Sequence, residues 1–350
     1  MMELYSLGKT PWEESQLIYH ALARLGREAL VLVSPASPYV CLGFHQDAEQ
    51  EVDLDFCRSS QIPVFRREVG GGTVYLDGNQ LFFQLILNRD HPEVPKKKEN
   101  FYRKFLEPII NTYSRIGITA EYKPINDVIV GGRKISGTGV GETGDCLIFV
   151  GNLILDFNYE MMSRILKTPD EKFRDHVHKT LEENLTTIRR EIGPDRASQW
   201  SEGDLNSIMV EEFEKLLGPF TPKAVDNILA DKVKELRSWM FDSGWLIRKG
   251  RQTDHREIKI RQGLFVFERT HKAQGGLIRA RFEVQEDCLA NIYISGDFFC
   301  YPSNSVDILA SALEGRSKNE VPQVLSEFHR KYDPEMPGVE TEDWLEVFQF

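Results

Sequence analysis

The feature that most constrains this chain is a run of three glycines bracketed by arginines and β-branched residues, Arg66-Arg67-Glu68-Val69-Gly70-Gly71-Gly72-Thr73-Val74-Tyr75. Bare glycines let a backbone pass close to a bulky anion, and guanidinium groups neutralise the charge of that anion. The run lacks both the Gly-Lys-Ser/Thr ending of a Walker A loop and the GxGxxG spacing of a dinucleotide fold. A tight turn with positive φ at successive glycines explains the pattern equally well. The run therefore predicts either such a turn or a loop that holds an acyl phosphate or a nucleotide.

A second glycine motif follows about fifty residues later, as Asn126-Asp127-Val128-Ile129-Val130-Gly131-Gly132-Arg133-Lys134-Ile135-Ser136-Gly137. Paired glycines between β-rich runs predict a hairpin, with Lys134 on its second strand. A lysine in that position often projects only into solvent. An aspartate near a lysine and a polyanion, however, is what coordinates Mg²⁺ or fixes a phosphate-binding ammonium. In the first motif, Arg66 and Arg67 point to opposite faces, so at most one of them is expected to face a site.

Composition limits the class of protein. The chain has 350 residues, so one larger and one smaller domain are expected. A net charge of −11 argues against nucleic-acid binding, which requires clustered Lys and Arg. No apolar run is long enough to span a membrane, the start does not read as a signal peptide, and the five cysteines form no CxxC pair. We expect a cytoplasmic protein without structural zinc or membrane association, and a monomer.

The order of elements predicts an α+β fold with a mixed, largely antiparallel sheet rather than a doubly wound one. Helices are predicted near 11–26, 54–60, 100–116, 159–166 and 207–216. Strands are predicted at 29–33 and 39–43, which suit a meander or hairpin, and at 63–65 and 81–87, which would pair around the glycine loop. Residues 146–156 are predicted to form a further strand pair.

The order of predicted strands and helices changes towards the end of the chain. Strands near 264–269, 276–284 and 289–296 precede helices near 306–313 and 321–328, which predicts a small α+β domain. The polar segment 218–231, with Pro219 and Pro222, is the expected linker. We therefore predict a larger domain over 1–220 and a small C-terminal domain over 232–350.

The arginine-glycine run, the Asn-Asp hairpin and the strand Gly151-Asn152-Leu153-Ile154-Leu155 together resemble the lipoate–protein ligase family. The catalytic domain of that family shares its fold with biotin protein ligases. The resemblance covers nearly the whole chain, since residues after about 232, with Ser238-Trp239-Met240, resemble the accessory domain of the longer ligases.

The resemblance implies two half-reactions. Lipoate, or octanoate, is joined to ATP with Mg²⁺ to give the acyl adenylate and pyrophosphate, and the acyl group then passes to a specific lysine of a lipoyl carrier protein, either a lipoyl domain or an H-protein-like acceptor. Lys134 would be the catalytic residue that stabilises charge in both transition states. Asp127 would also hold the metal. The residues that would bind substrate and ATP are Arg67, Gly70, Gly71, Gly72, Thr73, Val74, Tyr75, Asn126, Asp127, Gly137 and Thr138.

This chain departs from the family pattern at three positions. Leu76 and Val150 stand where the family usually has histidine, and Val150-Gly151-Asn152 replaces His-Gly-Thr. We therefore expect the acyl pocket to differ more than the adenylate site. The alternatives are a biotin–protein ligase, an octanoyltransferase, which would need a thiol beside the lysine, and a non-catalytic carrier-binding or lipoate-binding protein of the same fold. Cys146, which follows the hairpin, is expected to belong to the core.

Overall fold

The longest apolar runs of the chain form the centre of a six-stranded sheet in a computed structural model that describes residues 2–248, 258–261 and 264–349. The structure divides into two compact units. Unit 1 comprises Met1–Cys41, Glu51–Val69 and Val74–Leu246, and unit 2 comprises Leu42–Gln50, Gly70–Thr73 and Ile247–Phe350. The predicted boundary between 220 and 232 stays a prediction.

The elements up to residue 246 follow the α+β order expected from the sequence. They are β1 (Glu3–Thr10), α1 (Trp12–Arg24), β2 (Ala29–Pro35), β3 (Tyr39–Leu42), α2 (Ala48–Glu51), α3 (Leu54–Ser59), β4 (Val64–Arg66), β5 (Val74–Leu76), β6 (Gln80–Asn88), α4 (Lys98–Phe105), α5 (Glu107–Arg115), β7 (Glu121–Lys123), β8 (Asp127–Val130), β9 (Arg133–Ser136), β10 (Thr138–Thr143), β11 (Cys146–Ile154), α6 (Tyr159–Ile165), α7 (Glu171–Asn184), α8 (Ile188–Ile192), α9 (Pro194–Ala197), α10 (Glu202–Leu217), β12 (Thr221–Pro222), α11 (Asn227–Met240) and α12 (Ser243–Leu246).

The large sheet has the strand order β10-β11-β6-β2-β1-β12. Strands β2, β6, β11 and β10 are antiparallel neighbours, whereas β1 runs parallel to both β2 and β12. Every residue of β2 and all but the last of β6 are buried, because apolar side chains cover both faces of the central strands. Two three-stranded sheets, β4-β3-β5 and β7-β8-β9, complete the strands of unit 1. The predicted mixed, largely antiparallel α+β fold is confirmed.

Two predictions about strand pairing are wrong. Strands β2 and β3 do not form a hairpin, because β2 is apolar on both faces and lies inside the large sheet, whereas β3 lies between β4 and β5. The strands around the glycine loop do not pair with each other either. The loop joins β4 to β5, each on one side of β3, and β6 belongs to the large sheet.

Two predicted elements also have different bounds. The helix expected over 100–116 is divided into α4 and α5 around Leu106, since Pro108 in the first turn of α5 has no backbone N–H to continue the helix. The strand pair expected over 146–156 is the single strand β11, which continues through Gly151 because this residue pairs with Phe83 on one side and Thr138 on the other. The segment expected as a linker contains β12 and the start of α11, and α11 buries Leu229, Leu236 and Met240.

The main elements of unit 2 form an antiparallel meander followed by helices. They are β13 (Ile258–Arg261), β14 (Leu264–Ala273), β15 (Gly276–Gln285), β16 (Cys288–Gly296), α13 (Ser305–Leu313), a 3-10 turn (Lys318–Glu320), α14 (Val321–Tyr332) and α15 (Thr341–Val347). Alternate residues of β15 are buried, which is the pattern of a sheet packed on one face, and Phe282, Phe298, Leu325 and Trp344 lie in the core. Within the part of the chain that the structure describes, no helix combines the length and apolarity needed to cross a membrane.

Candidate functional site

The hairpin of β8 and β9 holds Lys134, as the sequence predicted. Val130 pairs with Arg133 and Ile129 with Lys134 across the antiparallel strands. The two turn residues, Gly131 and Gly132, have φ values of 54° and 81°. Two-residue hairpin turns of this hand need positive φ at both positions, which glycine adopts without steric cost.

Lys134 points towards Asp127 at the start of the same hairpin. The lysine Nζ lies 2.6 Å from Asp127 Oδ1, and the side chains are 36% and 30% exposed. This exposure leaves the ammonium open to a ligand while the carboxylate fixes its position. On the other side, the lysine side chain lies beside Gly137, where an added β-carbon would be 3.4 Å from Lys134 Cε and 3.7 Å from Nζ, ordinary contact distances. Gly137 therefore borders the ammonium.

Asn126 and Thr138 close the base of this group by a reciprocal pair of hydrogen bonds. The Asn126 side-chain amide donates to the Thr138 carbonyl, and the Thr138 hydroxyl donates to the Asn126 carbonyl at 2.5 Å. The structure thus brings together five residues predicted from the sequence. They are Lys134, Asp127, Asn126, Gly137 and Thr138.

The segment after α7 holds the outer edge of the hairpin. The Thr186 backbone N–H donates to the Lys134 carbonyl at 2.8 Å, and Arg133 pairs with Glu191 at 2.8 Å. The backbone of Lys134 is therefore bonded on both sides, which restricts how far the lysine Cα can shift.

Two buried amides near the hairpin were not identified as site residues from the sequence. Asn152 Oδ1 accepts the Gly137 N–H at 2.9 Å, and Asn152 Nδ2 donates to Gln80 Oε1 at 2.7 Å. The sequence indicates Asn152 only as a departure from the family pattern. Gln80 carries no signal in the sequence, because it begins an apolar strand more than forty residues before the hairpin.

The two arginines before the glycines have different hydrogen-bond partners, and only Arg66 lies within β4. Arg66 is fully buried, and its guanidinium donates to the carbonyls of Trp245 and Leu246, with a distance of 2.6 Å from Nη2 to the Leu246 oxygen. Arg67 donates to the Cys41 carbonyl at 3.1 Å. The proposed role of Arg67 in binding phosphate stays a prediction.

The backbone before the glycines is fixed by a buried histidine. His20 Nδ1 lies 2.7 Å from the Gln16 carbonyl, which must accept, so Nδ1 carries the proton and Nε2 accepts the Glu68 N–H at 3.3 Å. Burial lowers the pKa of His20 to about 4, against a smaller raising effect of the Glu68 carboxylate. The imidazole is therefore neutral near pH 7.

The loop Gly70–Thr73 belongs to unit 2, together with Leu42–Gln50. Only Gly71 of the three glycines has positive φ, at 89°, so the expected succession of positive φ values is wrong. Glycine is needed at position 70 because another segment of the backbone passes close to it. A β-carbon there would lie 3.0 Å from the Phe299 ring and 3.1 Å from the Phe298 carbonyl. Thr73 Oγ1 donates to Gln46 Oε1 at 3.0 Å, a contact that the sequence did not indicate.

Val74 and Tyr75 lie on β5 in unit 1, where Tyr75 is buried. Burial raises the pKa of Tyr75 to about 12, and the neighbouring Asp77 raises it further. Burial likewise raises the pKa of Asp77, against the backbone N–H of Asn79 that its carboxylate accepts at 2.9 Å. The phenol of Tyr75 is therefore protonated at neutral pH.

The described residues contain no group of three or more His, Cys, Asp or Glu side chains suited to a metal ion. Asp127 offers a single carboxylate. Mg²⁺ in nucleotide sites takes one or two protein carboxylates and completes its shell with phosphate and water. This donor set fits a metal brought by a nucleotide rather than one held by the protein alone.

Comparison with known proteins finds a matching family model for each of two parts of the chain. Residues 10–214 match the family model of the lipoyl protein ligase A/B catalytic domain, and residues 264–348 match that of the bacterial lipoate protein ligase C-terminus. Lipoate–protein ligase 1 of Staphylococcus aureus is 26% identical over 334 residues, which cover 93% of this chain and 89% of that protein.

Two solved structures share the fold. P. falciparum LipL1 in complex with lipoate has a TM-score of 0.72 at 14% identity, over 99% of this chain and 97% of that one. A lipoate-protein ligase A bound with ATP has a TM-score of 0.59 at 21% identity, over 70% of this chain and 98% of that one. Since the catalytic-domain model matches more than half of its residues, the chain belongs to the lipoyl protein ligase A/B catalytic domain family.

Proposed function

We propose that this protein is an ATP-dependent lipoate–protein ligase. The observation that carries the proposal is the ion pair of Lys134 and Asp127 at the mouth of the glycine hairpin, in a chain that matches both the catalytic and the C-terminal ligase models. Its first half-reaction joins a carboxylate oxygen of lipoate, or of octanoate, to the α-phosphorus of ATP and releases pyrophosphate. In its second, the ε-amine of a carrier lysine attacks the acyl carbonyl, an amide forms, and AMP leaves with the bonding electron pair.

Lys134 supplies a positioned positive charge to both steps. Negative charge develops on the phosphate oxygens in the first step and on the acyl oxygen in the second, and an ammonium held in place beforehand stabilises both without reorganisation. Asp127 holds the ammonium in one place, and Gly137 borders it. The ammonium remains accessible, because more than a third of the lysine side chain is exposed.

The remaining predicted residues would hold the nucleotide. In unit 2, the glycine backbone at Gly70 to Gly72, with Thr73, would lie against phosphate. In unit 1, Arg67 would supply a guanidinium that neutralises phosphate charge. Asp127 is the carboxylate that would hold Mg²⁺, and the metal would supply positive charge that neutralises phosphate. Val74 and Tyr75 would border the nucleotide from β5, and Asn126 and Thr138 would fix the start of the hairpin.

The carrier is proposed to be a lipoyl domain or an H-protein-like acceptor, since a protein lysine is the acceptor that an acyl adenylate of this family requires. The octanoyltransferase alternative is disfavoured because Cys146, the cysteine that follows the hairpin, is fully buried at the start of β11, and burial raises the pKa of its thiol. A thioester-forming cysteine needs an accessible thiolate. The match of residues 264–348 to a ligase C-terminus also favours the ligase.

The test measures pyrophosphate release from ATP and Mg²⁺ with lipoate, octanoate or biotin offered separately. Transfer is measured in parallel by the mass increase of an unmodified lipoyl domain. Release with lipoate or octanoate, followed by acylation of the domain, is expected. Release with biotin alone would assign the chain to the biotin ligases. Acylation of the domain only when an octanoyl thioester replaces the free acid and ATP would assign it to the acyltransferases. Carrier binding without either reaction would support a non-catalytic protein.

A further inference from the structure

Two buried side-chain amides connect the lysine hairpin with the strand that follows the glycine loop. The Gly137 N–H donates to Asn152 Oδ1 at 2.9 Å, Asn152 Nδ2 donates to Gln80 Oε1 at 2.7 Å, and Gln80 Nε2 donates to the Tyr75 carbonyl at 3.0 Å. Asn152 is 8% exposed and Gln80 1% exposed. All four residues belong to unit 1. We call this chain of hydrogen bonds the amide relay.

The position of the relay follows from the register of the large sheet. Asn152 on β11 is opposite Phe82 of β6, and Gln80 is opposite Ile154. Asn152 and Gln80 are therefore diagonal neighbours on one face of the sheet, which is within reach of extended side chains. The Ser136 hydroxyl also donates to the Asn152 carbonyl at 2.5 Å. Both the backbone and the side chain of Asn152 thus hold the end of β9, two residues beyond Lys134.

The ends of the relay fix its direction. Gly137 contributes a backbone N–H, which can only donate, and Tyr75 contributes a carbonyl, which can only accept. Each residue between them must accept on one side and donate on the other. A carboxamide does both, whereas a carboxylate offers acceptors alone. The order of donors and acceptors therefore requires, at both positions, a neutral group that donates and accepts, which an ionised carboxylate is not.

We propose that Asn152 and Gln80 are positioning residues for adenylation, an inference that rests on the proposed ligase function. Their relay sets the distance between Gly137, which borders the Lys134 ammonium, and Tyr75, the last residue of the glycine-loop motif. Neither amide touches the reacting atoms. Their effect is to hold Gly137, and with it the lysine side chain, in one place on the large sheet, and a displacement of about 1 Å at such a site costs about 100-fold in rate.

The test replaces Asn152 by Asp. Near pH 8 the carboxylate cannot donate to Gln80, so kcat for pyrophosphate release is expected to fall about 10- to 100-fold, while KM for ATP changes less than about threefold. A protonated carboxyl has one O–H donor and one acceptor, as the amide has. The ratio of variant to wild-type kcat is therefore expected to rise as the pH is lowered towards 5.5. Asn304→Asp, at an exposed position in unit 2, makes the same chemical change and is expected to leave the ratio at 1 at every pH.

A second readout does not depend on turnover. Hydrogen exchange of the Gly137 amide is expected to be faster in Asn152→Leu, which removes the acceptor of that N–H, than in wild type, with little change at Val140 on the neighbouring strand. Should Asn152→Asp not fold, Gln80→Glu tests the other amide by the same pH dependence of kcat. A pH-independent kcat ratio of 1 together with unchanged exchange at Gly137 would overturn the relay. If wild-type protein releases no pyrophosphate while the variant still shows faster exchange at Gly137, the ligase function is contradicted and the relay remains a structural link only.

Discussion

Lys134 Nζ lies 2.6 Å from Asp127 Oδ1 across the glycine hairpin, and about a third of each side chain is exposed. An ion pair with this exposure contributes at most about 1 kcal/mol to folding, because water screens it and both side chains lose rotamer freedom. Its short distance and the restricted backbone around it are better explained by the need to hold a charge in one place. The pair therefore predicts separate consequences for activity and for stability.

Replacing Lys134 by Ala is expected to abolish pyrophosphate release, with a loss of 100-fold or more, on the order of the effect of removing one preorganised charge. The free energy of unfolding is expected to change by less than about 1 kcal/mol. Pyrophosphate release and urea denaturation measure the two quantities. Lys234→Ala, an exposed lysine on α11, is the matched control and should retain full activity. Undiminished turnover in Lys134→Ala would refute the catalytic role.

Replacing Cys146 by Ser is expected to leave kcat for carrier acylation within about threefold of wild type. The thiol is buried, and its raised pKa leaves no thiolate for thioester formation. Acylation of a lipoyl domain by wild type and variant, before and after iodoacetamide, measures the effect. An acyl group found on a cysteine by mass spectrometry would instead support the octanoyltransferase mechanism.

The glycine hairpin was predictable because its signals are local. The Gly131-Gly132 pair fixes the turn, and the turn fixes the register that places Lys134 near Asp127. The strand pairings of β2, β3 and β6 were not predictable in the same way. A strand that is apolar on both faces must be buried, but its sequence does not say which neighbour covers it.

The two amides behind the lysine hairpin depend on contacts between distant parts of the sequence. Asn152 and Gln80 meet only because β6 and β11 pair in one particular register. Each looks like an ordinary polar residue in an apolar strand. The assignment of Gly70–Thr73 to the same unit as residues 247–350 is likewise a property of tertiary packing that no local pattern carries.

The buried His20 is expected to make folding sensitive to acid. Burial lowers its pKa from 6.5 to about 4, and the charged groups acting on it are Glu68, Arg24 and Arg67. Between these two pH values the unfolded chain binds a proton that the folded chain does not. The stability contribution is therefore fully present above pH 6.5 and is lost as the pH falls towards 4, by about 3 kcal/mol in total.

Urea denaturation at pH 7, 6, 5 and 4.5 measures this loss. The unfolding free energy of His20→Gln should fall less steeply with decreasing pH than that of wild type. His176→Gln, which changes an exposed histidine on α7, should follow the wild-type curve. Parallel curves for wild type and His20→Gln would show that His20 does not titrate differently in the two states.

Gly151 is expected to be intolerant of any side chain. A β-carbon there would lie 2.4 Å from Phe83 Cζ and 2.9 Å from Thr138 Cγ2. Phe83 is fully buried against the Phe149 and Phe213 rings, at centroid distances of 5.2 and 6.0 Å, so its ring has no free space to enter. Overpacking of this kind costs about 1 to 3 kcal/mol. Gly151→Ala should therefore lower the free energy of unfolding by that amount.

Gly203→Ala is the matched control for this substitution. Gly203 lies in the first turn of α10, and the nearest atom to an added β-carbon is Ser201 Oγ at 3.6 Å, an ordinary contact distance. Because alanine has the higher helix propensity, the control should be neutral or slightly stabilising. Urea denaturation of both variants decides the outcome. Equal stabilities for Gly151→Ala and wild type would mean that Phe83 can shift, and that β11 is packed less tightly than these distances require.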